Sequence, residues 1–148
     1  MAFNIMYTYK ARVNRIVDGD SVVLDIDLGF DICMNTQHVR IYGIDTPESR
    51  TRDLDEKARG LMATKHVSML LGIGDVVTIN TYMDTAGKFG RILGKITNID
   101  GVDVAESLLE NNLAVPYYGQ SKEEIKQQHL DNREILVTEK RFTPDEIK

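Results

Sequence analysis

Residues 21–27, SVVLDID, alternate with a period of two, which puts Val22, Leu24 and Ile26 on one face and Val23, Asp25 and Asp27 on the other. That is the pattern of a half-buried β-strand. It follows Asp18-Gly19-Asp20, a turn-forming triplet, and the run before it, residues 9–17, alternates in part. The two runs are therefore predicted to pair as a hairpin. After a loop over residues 28–36, residues 37–44, 75–82 and 91–99 read as further strands. A helix interrupts them. Asp53 stands three residues before Glu56, the spacing of an N-cap and its capping-box partner, and Leu54, Ala58, Leu61, Met62, Met69 and Leu70 recur at helical spacing until Gly72. Met62 and Met69 read as core.

A short helix is predicted over residues 104–110 with Ala105, Leu108 and Leu109 inward. A third starts at Ser121, capped by Glu124, with Ile125, His129 and Leu130 on one side. Short strands with a helix inserted after the third place the chain in the α+β class, as a five-stranded OB-type β-barrel with about three helices. The expected organisation is a single domain over residues 1–135 and a loose polar tail over residues 136–148.

A chain of 148 residues can bury a core without disulfides or a structural metal. Its one cysteine, Cys33, can form neither an internal disulfide nor a CxxC metal site. No apolar run approaches the roughly 18 residues needed to span a bilayer, and the N-terminus has no secretory pattern, so a cytoplasmic protein without membrane contact is expected. The net charge of −5 is unevenly spread. Residues 1–99 hold 12 basic and 12 acidic side chains, whereas residues 100–148 hold 6 and 11. The acidic excess thus falls outside the motifs described next and offers a docking surface for a protein partner.

Two acidic clusters carry the chemical interest: Asp18-Gly19-Asp20 and Asp45-Thr46-Pro47-Glu48, each at a strand end. Carboxylates on such turns can converge on one point, and Pro47 stiffens the second turn. Their hard oxygens suit Ca²⁺ or Mg²⁺. Taken singly, each cluster reads more readily as plain turn chemistry, since Asp, Gly and Pro are common turn residues. Arg40 lies one residue out of phase with Val39 and Ile41 and so points to the opposite face, and Arg91 opens a later strand. A guanidinium can grip two phosphate oxygens at once. His38, His66 and His129 share no metal-ligand spacing, and Arg50 and Arg52 suit either a nucleic-acid track or a solvated turn.

The succession VDGDSV, VRIYGIDTPE, KFGR and LLENNLA resembles the staphylococcal nuclease (thermonuclease) family in order and spacing, over roughly residues 9–118. The hairpin LDIDLGFDI is most similar to phage and bacterial members, which implies a phage association as one setting. The resemblance implies a Ca²⁺-dependent endonuclease that cleaves DNA and RNA with little sequence preference, favours single strands and leaves 3′-phosphate ends. It implies that Asp20, Asp45 and the Thr46 carbonyl ligate Ca²⁺ while Asp18 orients the ligands. It also implies that Glu48 is the general base and that Arg40 and Arg91 clamp the scissile phosphate. Lys88, Phe89, Tyr117 and Tyr118 would contact the nucleotide.

Some residues depart from the family pattern. Phe89 replaces a tyrosine and cannot donate a hydroxyl hydrogen bond, which puts terminal-phosphate recognition in question. Gly87 stands where an aspartate is usual, with Asp84 nearby, and Ser21 replaces a threonine. The rival reading is a non-catalytic OB-type module that binds nucleic acid or protein within a larger complex. The retained Asp20, Arg40, Asp45, Glu48 and Arg91 argue against it.

Overall fold

The alternating hydrophobic pattern closes on itself. In the computed structural model, which describes residues 7–82 and 91–144, five strands form a closed barrel in the order β1-β2-β3-β6-β5. They are β1 (Tyr7–Asp18), β2 (Ser21–Asp27), β3 (Cys33–Ile41), β5 (Val76–Tyr82) and β6 (Ile92–Thr97). Neighbours are antiparallel except β3 and β6, which run parallel. The interior holds Val13, Val22, Leu24, Val39, Ile79 and Ile96, each no more than 1% exposed. Val23, expected on the outer face, is also fully buried.

A two-residue strand β4 (Ile44–Asp45) pairs outside the barrel with β7 (Val115–Pro116). Three helices complete the fold: α1 (Leu54–Leu70), α2 (Val104–Glu110) and α3 (Lys122–Thr138). Among the described residues no helix is long and apolar enough to cross a membrane. The α+β barrel with three helices is the class expected from the sequence.

The caps form as their residue types dictate. The Asp53 carboxylate accepts from the amides of Asp55 and Glu56 at 3.1 and 3.2 Å, and Ser121 Oγ accepts from the Glu124 amide at 3.3 Å. The expected capping box is incomplete, because Glu56 Oε1 accepts from the Glu48 amide at 3.4 Å and serves a different turn.

The face of α1 differs from the expected one. Ala58, Met62 and Leu70 pack against the core as expected, but Leu54, Leu61 and Met69 are exposed, Met69 to 76%, and the buried positions are Arg59, Gly60, Ala63 and Val67. Small residues let this helix approach the two acidic turns closely. A Cβ on Gly60 would stand 2.6 Å from the Pro47 carbonyl oxygen, and one on Gly19 would stand 2.7 Å from Ala63 Cβ. Neither separation is tolerable for real atoms. The two glycines therefore allow α1 to fix both the DGD turn and the DTPE turn against one surface.

Ordered packing also continues past residue 135. Helix α3 runs to Thr138, Leu136 is 1% exposed, and Lys140 at a φ of 59° turns the chain back. That turn buries Phe142 in the core, so Leu136 and Phe142 are anchored where a loose polar tail is expected, while residues 138–141 are exposed. Cys33, expected in a loop, opens β3 and is exposed.

Candidate active site

Strand register decides which side chains meet. Ser21 pairs with Arg40 across β2 and β3, and the Ile41 amide donates to the Asp20 carbonyl at 2.8 Å, which sets the DGD turn beside Arg40. Val39 and Ile41 fill the barrel, so Arg40 points away from the core as its phase requires. Pairing of Asp45 with Val115 carries the second acidic turn to the same place.

Arg40 is the hub. Its Nη1 donates to Asp20 Oδ2 at 3.0 Å, its Nη2 donates to the Ile44 carbonyl at 3.2 Å, and the same Nη2 lies 3.5 Å from Asp45 Oδ1. The guanidinium carbon also stands 5.6 Å from the centre of the Tyr117 ring, within cation–π range. One planar cation thus draws together carboxylates that are 25 positions apart in sequence.

The remaining acidic groups are held in place around it. Ser21 Oγ donates to Asp20 Oδ1 at 3.1 Å, Ser49 Oγ donates to Asp18, and Thr46 is 4% exposed. Burial, and then the nearby charges of Asp20, Asp45, Glu56 and Asp18, push the Glu48 carboxyl above the usual glutamate range. A base of raised pKa accepts a proton more readily once ionised.

Arg40, Asp45, Glu48, Arg91 and Tyr117 line one cleft of about 750 Å³. Its opposite wall is α3, which contributes Lys122, Lys126 and His129. The acidic excess of the C-terminal third is expected away from the motifs, yet α3, from that same third, turns a basic face toward them. His129 Nε2 lies 2.8 Å from Asp45 Oδ2. Arg133 Nε donates to Asp55 Oδ2 at 2.9 Å, while Asp55 Oδ1 accepts from buried Arg59 at 2.9 Å, so α3 is tied to α1 as well.

Sequence reasoning missed Gly60, Arg59, Lys122, Lys126 and the role of His129. The one available signal was the placement of His129 on the stripe with Ile125. Arg50 and Arg52 are exposed and do not line the cleft. Tyr118 is 71% exposed and meets Tyr42 edge-on, while Tyr42 stacks on Tyr82 with centroids 4.2 Å apart. Lys88 and Phe89, together with Asp84 and Gly87, lie outside the described residues.

Asp20, Asp45 and Thr46 offer only oxygen donors, a set that fits a hard divalent cation and no soft metal. Among the described residues, no three His, Cys, Asp or Glu side chains are gathered tightly enough to enclose an ion as they stand. Arg40 takes one oxygen from each aspartate.

Residues 38–142 match the family described as Staphylococcal nuclease homologue, and the chain belongs to that family. It is also 28% identical over 115 residues to a protein named Endonuclease YhcR from Bacillus subtilis (strain 168). That match covers 74% of this chain and 9% of the relative, so the chain spans under a tenth of that protein's length.

Proposed function

We propose that the chain is a Ca²⁺-dependent nuclease that hydrolyses phosphodiester bonds of DNA or RNA with little sequence preference. The observation that carries this reading is the Arg40 guanidinium, bonded to Asp20 and beside Asp45, at a cleft it shares with Glu48 and Arg91. Membership of the nuclease family and the relative named an endonuclease support it.

In this reading Arg40 and Arg91 grip the scissile phosphate and meet the charge that builds on its oxygens. Glu48, ionised and at the cleft wall, takes the proton from the attacking water as that water closes on phosphorus. Ser49 holds Asp18, and His129 holds Asp45, so the carboxylates keep their orientation. Ca²⁺, held by Asp20, Asp45 and the Thr46 carbonyl, would supply Lewis-acid polarisation of the phosphate. Tyr117 and Tyr118 offer aromatic faces to bases, which favours single strands over duplex.

Digestion of unrelated DNA and RNA oligonucleotides, each with Ca²⁺ and with a chelator, tests the proposal. Metal-dependent cleavage of all of them is the expected result. Binding without cleavage under any divalent metal would instead point to a nucleic-acid-binding module.

A further inference from the structure

We propose that Lys122 and Lys126 bind successive phosphates beside the scissile one, so that α3 forms the second wall of a polynucleotide track. This rests on the nuclease reading and adds to it what selects a polymer over an isolated phosphodiester.

Lys122, Ile125, Lys126, His129 and Leu130 are spaced i, i+3, i+4, i+7 and i+8, one continuous face of α3, and all of them line the cleft. Two attachments fix that face: His129 to Asp45 at 2.8 Å, and Arg133 to Asp55 at 2.9 Å. The lysines therefore sit on a wall anchored to the acidic centre itself.

Two other cations of the cleft, Arg40 and Arg59, are held by carboxylates. Arg40 bonds Asp20 and approaches Asp45, and Arg59 is spent on Asp55. Lys122 and Lys126 make no ion pair among the described residues, although both are exposed in a cleft that also holds Asp53 and Glu56. Their ammonium groups are thus available to a ligand. They stand about 6 Å apart along the helix axis, and as flexible point charges they suit successive phosphates rather than one planar group. A chain carrying regularly repeated anions matches this wall, whereas a single diester at Arg40 and Arg91 leaves it empty.

The test uses the full chain and two substrates, a short oligothymidylate and bis(p-nitrophenyl) phosphate, a diester with one phosphate. The Lys122→Ala/Lys126→Ala variant should lose at least ~10-fold more kcat/KM on the oligonucleotide than on the small diester, mainly through KM. Its salt dependence of oligonucleotide binding should be shallower by about 1.4 in the log–log slope. The Lys122→Arg/Lys126→Arg variant should restore both, and unchanged thermal melting shows that the fold persists.

Equal losses on both substrates would overturn the proposal, because the lysines would then act on the acidic centre. So would no loss on either. If the unaltered chain cleaves neither substrate, the nuclease reading fails, and the lysine wall is judged by anisotropy on the labelled oligonucleotide. Binding lost in the alanine variant upholds it, and binding unaffected by the variant, or absent altogether, overturns it.

Discussion

Arg40 Nη1 donates to Asp20 Oδ2 at 3.0 Å while Nη2 of the same side chain lies 3.5 Å from Asp45 Oδ1. A single guanidinium therefore organises both acidic turns. Lysine cannot reproduce this fork, because its ammonium is a point charge without two fixed edges. Arg40→Lys is expected to lower kcat by about 10²-fold or more, the usual cost of losing an aimed donor. Single-turnover cleavage of a labelled oligonucleotide checks this, and a loss confined to KM would count against the role given to Arg40.

Gly60 is expected to matter as much as any charged residue. The Cβ of Gly60→Ala would press on the Pro47 carbonyl and the Glu48 backbone. The DTPE turn must then shift or α1 must back away. Stability should fall by about 1–3 kcal/mol, the range for overpacking, and kcat should fall with it because Glu48 is displaced. Urea melts beside activity assays separate the two effects.

His129 holds Asp45 from across the cleft at 2.8 Å. His129→Ala should weaken Ca²⁺ binding by roughly 10-fold, the lower end of what loss of a ligand-orienting partner costs. Calorimetric titration with Ca²⁺ reads this directly. Unchanged affinity would mean that the contact only anchors α3.

His66 links α1 to α2 through a 2.8 Å hydrogen bond to Ser107 Oγ. Burial, and then the charge of Arg141, hold its pKa below the usual histidine range. The unfolded chain therefore takes up this proton at a higher pH than the folded chain does. The contribution to stability is complete above the unfolded pKa of about 6.5 and declines as pH falls from there toward the lower folded value. His66→Gln should flatten that decline, as measured by denaturation midpoints at mildly alkaline and mildly acidic pH.

The legible parts of the fold were those where burial leaves a mark on residue type. Val22, Leu24 and Ile26 announced β2, and Asp53 and Ser121 announced helix starts, because a cap needs a short polar side chain. The start of β3 was hidden. Cys33 and Met34 pair with Asp27 and Ile26 through the backbone while their side chains remain exposed, so no alternation records the pairing. The packed face of α1 was hidden for a different reason. Large apolar residues attract attention, yet the close contact is built from Gly60 and Ala63.

The candidate site divides in the same way. Asp20, Arg40, Asp45 and Glu48 lie in short motifs on strand ends and could be named from their order. His129 and the lysines of α3 reach the cleft only through tertiary docking, by way of Arg133 and Asp55, which no local pattern encodes. Composition also misled. The C-terminal third is acidic in sum, but the face of α3 that meets the cleft is basic.

The most direct test of the central claim is cleavage of a labelled single-stranded DNA by the unaltered chain and by Glu48→Gln, side by side, in Ca²⁺ and in chelator. Glutamine keeps the shape of Glu48 and cannot take a proton. The account predicts Ca²⁺-dependent cleavage by the unaltered chain, a loss of about 10²–10⁴-fold in the variant, and oligonucleotide binding that persists in both. Equal cleavage by the two proteins, or cleavage untouched by the chelator, would contradict it.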